Sequence, residues 1–585
     1  MVGWWTGFPY WLSVAVIGIG GILGVMYSVP LRRALVTGTD LPYPEGVAAA
    51  EVLKVGSGVG GAEENRRGLV LIGGSTLVAA AYFLIAKTRL LTDTAGKVFK
   101  VGTGGSAISA SLSMALIGVG HLVGVAVGLA MVVGMLITWV VIVPHWTQDA
   151  AFAAQIGGDL ETLVSAAFRQ KARMVGAGTI GVAAIWTLLK LIGPIVAGIR
   201  SALIANRERK AGRAADLPIT ERDIPIGIVT ATILLSMIPI GLLLYAFGNT
   251  APIASEPGVT ITLSIIYTLI AGVVIAAVCG YMAGLIGASN SPISGVGILS
   301  VLGISLILAA LFPHASGDAT KALVAFALFV TAIIFGVATI SNNNLQDLKT
   351  GQLVDATPWR QQVALVLGVV FGAIVIPPIL DLMNTAFTFQ GAPNAKATAL
   401  AAPQAAIIST IAQGVLGGNL DWPMIRQGAV IGVVAVIVDE VLKRTSGKRL
   451  HLPPLAIGMG IYLPLEADLL IPFGAVLGWF YNRWAMGAKS PAFAERMGVL
   501  MATGLIVGES LMGVVYAFAV AGAEKAGSAD SANVFALVEP YSAVMVVSLV
   551  VFAASIGALY FWTKSRASDA PAPGDDAVVP QESYR

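Results

Sequence analysis

Apolar runs about twenty residues long recur along the whole chain, at 8–29, 69–86, 106–121, 125–143, 174–197, 224–247, 261–285, 293–312, 322–340, 363–383, 425–442, 497–520 and 543–562. Roughly twenty consecutive apolar residues is the length of α-helix that crosses the ~30 Å hydrocarbon core of a bilayer. No water is available there to satisfy the backbone, so a spanning segment must close its own hydrogen bonds. The expected fold is an all-α polytopic membrane protein of about 13 transmembrane helices, with re-entrant or short-helix hairpins between some of them. Charged residues make up 11% of the sequence, against about 25% in an ordinary soluble domain. Little chain is left over for anything soluble. A single transmembrane domain is expected over residues 1–565, followed by a disordered cytoplasmic tail at 566–585.

Several function classes are disfavoured by what the sequence lacks. Cys279 is the only cysteine and the four histidines, His121, His145, His314 and His451, are scattered, so no cysteine or paired-histidine metal site is expected. There is no H-E-x-x-H motif, no G-x-x-x-x-G-K-[ST] loop and no cluster of Asp and Lys to hold Mg²⁺ and a phosphate. Neither an intramembrane enzyme nor an ATP-driven carrier fits, and no cofactor is expected. The net charge of +3 comes from basic loops, not from a nucleic-acid-binding face.

Those loops also orient the chain, because Lys and Arg collect on the cytoplasmic side. Arg200, Arg207, Arg209, Lys210, Arg213 and Arg222 mark one loop as internal. Alternation then places Arg32, Arg33, Arg66, Arg67, Lys443, Arg444, Lys564 and Arg566 inside as well. Lys87, Arg89, Lys97 and Lys100 dissent, falling on the outer side. The start, Met1-Val-Gly-Trp-Trp5, lacks the basic residues of a cleavable signal, and the aromatic cluster that follows reads as a belt between helices, so further helices upstream are expected.

Against this background the interruptions carry the information. The stretch from Val278 to Gly297 joins two apolar runs through glycines, Ser289, Asn290, Ser291, Pro292 and Ser294. Irregular backbone at membrane depth survives where protein surrounds it or water fills a cavity, and transporters bind solutes at such breaks. A polar turn at the membrane surface is the plainer alternative. Around 453–481 the chain should enter and leave on the cytoplasmic side as a hairpin, with Tyr462, Pro464 and Glu466 near its tip. The segment at 400–418, with Pro403 and Gln404, may be read as dipping in without crossing.

Carboxylates near these breaks are candidates for moving protons. Glu45 follows two prolines and falls in the first turn of a helix, where the helix dipole favours it; Glu51 lies about 60° further round the same helix. Glu509 lies in mid-span with no basic neighbour, and an intramembrane carboxylate faces an ion path, a partner or the bundle interior. Glu509→Gln is expected to abolish proton-driven accumulation, unless the acid only holds helices together. The polar run from Ser341 to Gly351 reads either as a solvated helix end or as a gate or latch using Gln346, Asp347 and Lys349. His121, among Gly118, Gly120 and Gly124, is best explained by a tight helix turn, and Asp439 by pairing with its basic neighbours.

Six of these segments, in order, resemble the oligopeptide transporter family, which also contains the yellow stripe-like metal-chelate carriers. They are Leu41-Pro-Tyr-Pro-Glu-Gly46, Gly284 to Gly295, Gln346-Asp-Leu-Lys-Thr-Gly351, Ala402-Pro-Gln404, Gly460-Ile-Tyr-Leu-Pro-Leu465 and Gly504-Leu-Ile-Val-Gly-Glu-Ser510. The resemblance, closest to bacterial members, implies a secondary active transporter of about sixteen helices that arose by internal duplication. It implies proton-coupled uptake of short oligopeptides across the bacterial cytoplasmic membrane by alternating access, or, in the alternative, uptake of metal-chelate complexes. The expected partners are that solute, protons and the lipid bilayer, with the oligomeric state left open.

Overall fold

The computed structural model describes residues 4–568 except 6, 38–40, 42, 44, 48, 51–52, 54–61, 184, 188, 191–192, 194–217, 250–256, 287, 289–290, 292, 314, 316, 390–391, 393–394, 396–398, 401, 419–420, 448–449, 527–532 and 540. Among the described residues nine helices are long and apolar enough to cross a membrane, and shorter apolar helices such as Met114–Val123 and Val296–Leu311 accompany them. The protein is thus a polytopic helical membrane protein, with helices at most of the apolar runs among the described residues. The chain divides into two compact units, one formed by Met1–Ser57 and Ala184–Leu420, the other by Gly58–Ala183 and Asp421–Arg585.

The first unit is organised around the helix Asp318–Leu353, whose early turns are apolar on every side. A helix of that kind belongs in the interior. Leu323, Phe326, Val330, Ile333 and Val337 are all buried, with Tyr10–Leu31, Pro257–Ile286 and Ile293–Leu311 packed around them. Tyr10–Leu31 comes closest where Gly20 meets Gly336, and a Cβ on Gly20 would lie 2.7 Å from the Ile333 carbonyl oxygen. Past Leu31 the helix widens into the π-helical turn Arg32–Thr37. Arg32 is 1% exposed and its Nη2 donates to Asp223 Oδ2 at 2.8 Å and to Glu221 Oε2 at 3.0 Å. Arg33 Nε and Gln362 Nε2 reach the same carboxylate at 2.9 and 2.7 Å. The arginine pair that orients the sequence is therefore consumed in a buried cluster. Removing one partner from such a cluster costs about 3–5 kcal/mol, because the charge left behind has no solvent.

The second unit departs from the sequence reading at 106–121, which is not a single apolar helix. Thr94–Val101 pairs antiparallel with Gly104–Ser111 in a β-hairpin, in register from Thr94↔Ser111 to Val101↔Gly104. A two-residue turn joins the strands, with Gly102 at φ 60°. Apolar and polar residues alternate from Ile108 through Ser109, Ala110 and Ser111 to Leu112, a period of two that favours a strand over a helix. Ser113 then caps the helix Met114–Val123, its Oγ accepting from Leu116 N at 3.2 Å. The exposed Lys97 and Lys100, which dissent from the charge rule, sit on the first strand of this hairpin rather than in a loop between two crossings.

At 453–481 the predicted interruption is present. Pro454–Tyr462 and Leu470–Ala485 are separated by extended backbone at Leu463 and Pro464 and the short helix Leu465–Asp468. Their nine and sixteen residues rise about 14 and 24 Å, so each falls short of a ~30 Å hydrocarbon core. Both arms are seated by glycine-to-glycine crossings. A Cβ on Gly134 would overlap the Ile457 carbonyl and one on Gly460 the Met131 carbonyl, and Gly120 and Gly474 meet Ile471 and Ile117 in the same way. The helix carrying Gly120 ends at Gly124, whose φ of 84° suits glycine. His121, beside that turn, is buried, with Nδ1 2.9 Å from the Tyr560 hydroxyl. Asp439 pairs with Lys443, as its basic surroundings suggest.

Candidate functional site

Three of the six sequence motifs converge at the break in the first unit. Pro257–Ile286 stops short of the next helix, Ile293–Leu311, and the connection is held from two sides. From one side, Glu45 Oε2 accepts from Ala288 N at 3.0 Å, and Tyr43 N donates to the Gly284 carbonyl at 2.9 Å. From the other, the helix Asp318–Leu353 contributes Asn342, whose Nδ2 donates to the Ala288 carbonyl at 3.1 Å. It also contributes Gln346, whose Nε2 donates to the Ala283 carbonyl at 2.6 Å while Oε1 accepts from Gly46 N at 2.7 Å. Thr350 Oγ1 completes the series at the Gly46 carbonyl, at 2.8 Å. Backbone groups freed by the interruption are thus repaired by side chains, as a broken membrane helix requires.

Asn342, Gln346 and Thr350 are spaced four apart and so lie on one face of one helix. That spacing is open to view in the sequence, where the run reads either as a solvated helix end or as a gate or latch, and Gln346 is the one residue of the three taken as a candidate. The solvated end is the alternative that fails, because Asn342, Asn344 and Gln346 are buried. Asp347 is exposed and Lys349 Nζ donates to Gln352 Oε1 at 3.1 Å, so these two stand apart from the buried face.

The cluster also retains unused polar capacity. Asn342 Oδ1, Ser291 Oγ and the Tyr43 hydroxyl are buried without a hydrogen-bond partner among the described residues, as is Asn344 Nδ2 on the opposite side of the helix. Tyr43 is held at a φ of 44°, a conformation that costs a non-glycine residue about 1–3 kcal/mol. Asn290 and Pro292 lie outside the described residues, as do Glu51 and the side chains of Ser294 and Pro403. Pro403 opens the helix Pro403–Gly417 and Gln404 beside it is exposed. A separate cleft of about 400 Å³ is lined by Tyr267, Ile270, Val274, Val296 and similar side chains. Its apolar walls suit hydrocarbon better than a polar solute.

In the second unit the predicted residues separate into different roles. Glu509 Oε1 accepts from Ser113 Oγ at 2.6 Å and Oε2 from Ala115 N at 2.9 Å. It caps the first turn of Met114–Val123, where the helix dipole stabilises a negative charge. Ser113 is a partner the sequence did not announce. Glu466 is exposed and Pro464 half-buried. Tyr462 is buried, with the Arg173 guanidinium 4.9 Å from its ring centre. Asp468, two residues beyond Glu466, is the acid that sequence reasoning missed: it is 0% exposed, and both its oxygens lack a hydrogen-bond partner among the described residues.

Long apolar helices, interrupted and then repaired by polar side chains, define a multi-pass membrane protein built like a solute transporter. Residues 1–520 match the family described as OPT oligopeptide transporter protein, and the chain belongs to that family. It is 42% identical to a Haemophilus influenzae protein that carries the name oligopeptide transporter, over 91% of this chain and 84% of the other. More distant similarity links it to YSL5 of Arabidopsis thaliana, named as a metal-nicotianamine transporter, at 26% identity over 32% of this chain and 25% of that one. A Saccharomyces cerevisiae protein, also named as an oligopeptide transporter, is 24% identical over 38% of this chain and 29% of its own length.

Proposed function

We propose that this protein takes up short oligopeptides by alternating access, driven by protons. The observation that carries this reading is the buried polar face at the first unit's helix break. Peptide backbone offers alternating donors and acceptors, and Asn342 Oδ1 and Ser291 Oγ supply acceptors with capacity to spare. Buried groups of this kind recognise a matching ligand strongly, because each costs free energy when left unpaired. The strength of the Haemophilus influenzae similarity, and its cover of nearly the whole chain, supports the peptide as cargo. A metal-chelate solute is the second reading, favoured by the partial similarity to the metal-nicotianamine transporter.

Reconstituted into vesicles with an alkaline interior, the full chain is expected to accumulate a radiolabelled tripeptide, and a protonophore should collapse that accumulation. Uptake of metal-nicotianamine in its place would move the assignment to the second reading. Indifference of tripeptide uptake to the proton gradient would overturn the coupling.

A further inference from the structure

The interrupted segment of the second unit holds a carboxyl group in surroundings that suit a proton better than a charge. We infer that Asp468 is the side chain that binds and releases the coupled proton, an assignment that rests on the proton-driven reading above and gives it a site. Asp468 ends the short helix Leu465–Asp468, is 0% exposed, and has neither oxygen hydrogen-bonded among the described residues. A carboxylate withdrawn from water with no partner is far more costly than the neutral acid, which needs only modest stabilisation.

Among the described residues no charged group bonds to it, and the Arg173 guanidinium is seated over the Tyr462 ring instead. The strand Gly104–Ser111, which covers the short helix, carries no titratable residue. The arm Pro454–Tyr462 offers only the Tyr462 hydroxyl, and on Leu470–Ala485 the titratable Tyr481 and Arg483 lie at the far end. Glu466, on the same short helix, is exposed. The contrast with Glu509 is one of chemistry. Two donors already hold the Glu509 oxygens, whereas those of Asp468 have none among the described residues.

The position matters as much as the burial. Extended backbone at Leu463 and Pro464 precedes the short helix, and Leu469 separates it from the following arm. An acid at such a joint changes surroundings when either arm tilts, and so can take H⁺ from one side and surrender it to the other. The step is a proton transfer between water and the Asp468 carboxyl oxygen, with no other bond made or broken.

Two measurements test the assignment. Dicyclohexylcarbodiimide attacks protonated carboxyls in apolar surroundings, and mass spectrometry of the purified full chain should find its adduct at Asp468, several-fold more at pH 6 than at pH 8.5, with Glu509 unmodified. No Asp468 adduct, or equal amounts at both pH values, would overturn the proposal. In vesicles, Asp468→Asn is expected to lose gradient-driven tripeptide accumulation at least tenfold while keeping tripeptide exchange, which needs no net proton movement. Asp468→Glu should restore accumulation with a displaced pH profile. A wild-type chain that accumulates tripeptide with protons while Asp468→Asn does the same sinks the residue and leaves the uptake reading standing. A wild-type chain indifferent to the gradient sinks the uptake reading, and the labelling then judges Asp468 alone. Should Asp468→Asn fail to fold, the pH profile of Asp468→Glu decides in its place, and an unmoved profile counts against the assignment.

Discussion

The two helix breaks handle the same physical problem in different ways. In the first unit the interruption near Ala288 is stitched by Glu45, Asn342 and Gln346, each spending a side chain on a freed backbone group. In the second, the interruption at Leu463–Asp468 is seated by close glycine contacts on its arms, and its one buried acid is left without a bond. The first arrangement fixes geometry and leaves polar capacity for a solute. The second fixes only the arms and leaves a carboxyl at the joint. Solute recognition and proton binding have opposite requirements, one for donors and acceptors held in place and the other for a group whose environment can change. On the proposed reading, separate breaks let each be met.

Substitutions can break or sharpen this contrast. The largest effect is expected at Gln346→Leu, which strands Gly46 N and the Ala283 carbonyl, at roughly 1–3 kcal/mol for each buried group. Thermal denaturation in detergent should show a clear loss of stability, and an unchanged midpoint would mean the stitching carries no load. Gly460→Ala comes next, since its Cβ would overlap the Met131 carbonyl; overpacking of this kind costs about 1–3 kcal/mol. If the second break were held by side-chain bonds instead, this variant would melt like wild type.

A smaller change is expected of Glu509→Gln. The amide can still accept from Ala115 N and can donate to Ser113 Oγ, so only the charge at the helix terminus is lost, at about 0.3–1 kcal/mol. Gradient-driven accumulation should survive, and its disappearance would move the coupling acid from Asp468 to Glu509. Least disturbing to the fold is Ser291→Ala, since Oγ has no hydrogen-bond partner among the described residues. Stability should stay within about 0.5 kcal/mol, while the KM for tripeptide rises about tenfold, equivalent to one lost hydrogen bond of roughly 1.4 kcal/mol. Unaltered uptake kinetics would remove Ser291 from recognition.

Much of the scaffold was legible because bilayer thickness imposes one length scale on every crossing. The apolar runs mark helices, and the glycine and proline content of 278–297 and 453–481 marks the interruptions. The β-hairpin was obscured because Ala107, Ile108, Ala110 and Leu112 supply apolar residues that a twenty-residue window averages with the helix beyond them. Only the alternation with Ser109 and Ser111 betrays the strand. At the candidate sites, Glu45 was visible from its place after the prolines, but its partner Ala288 lies 243 residues away. The prominence of Glu509 and Glu466 in the sequence reflects residue type alone. Which acid is capped, which is exposed and which is sealed depends on Ser113 and on the strand covering Asp468, neither of which local pattern reveals.

The buried arginine cluster has a consequence for how the chain enters the membrane. Asp223 lies 191 residues after Arg32, and at about 5–20 residues per second the ribosome needs roughly 10–40 s to supply it. Throughout that interval Arg32 lacks the Asp223 partner it has in the folded chain, and its charge is available to anchor the newly made hydrophobic segment against translocation. Once Asp223 emerges, the ion pair masks the charge. The same side chain can therefore serve first as a topological signal during biogenesis and afterwards as a rivet in the finished transporter.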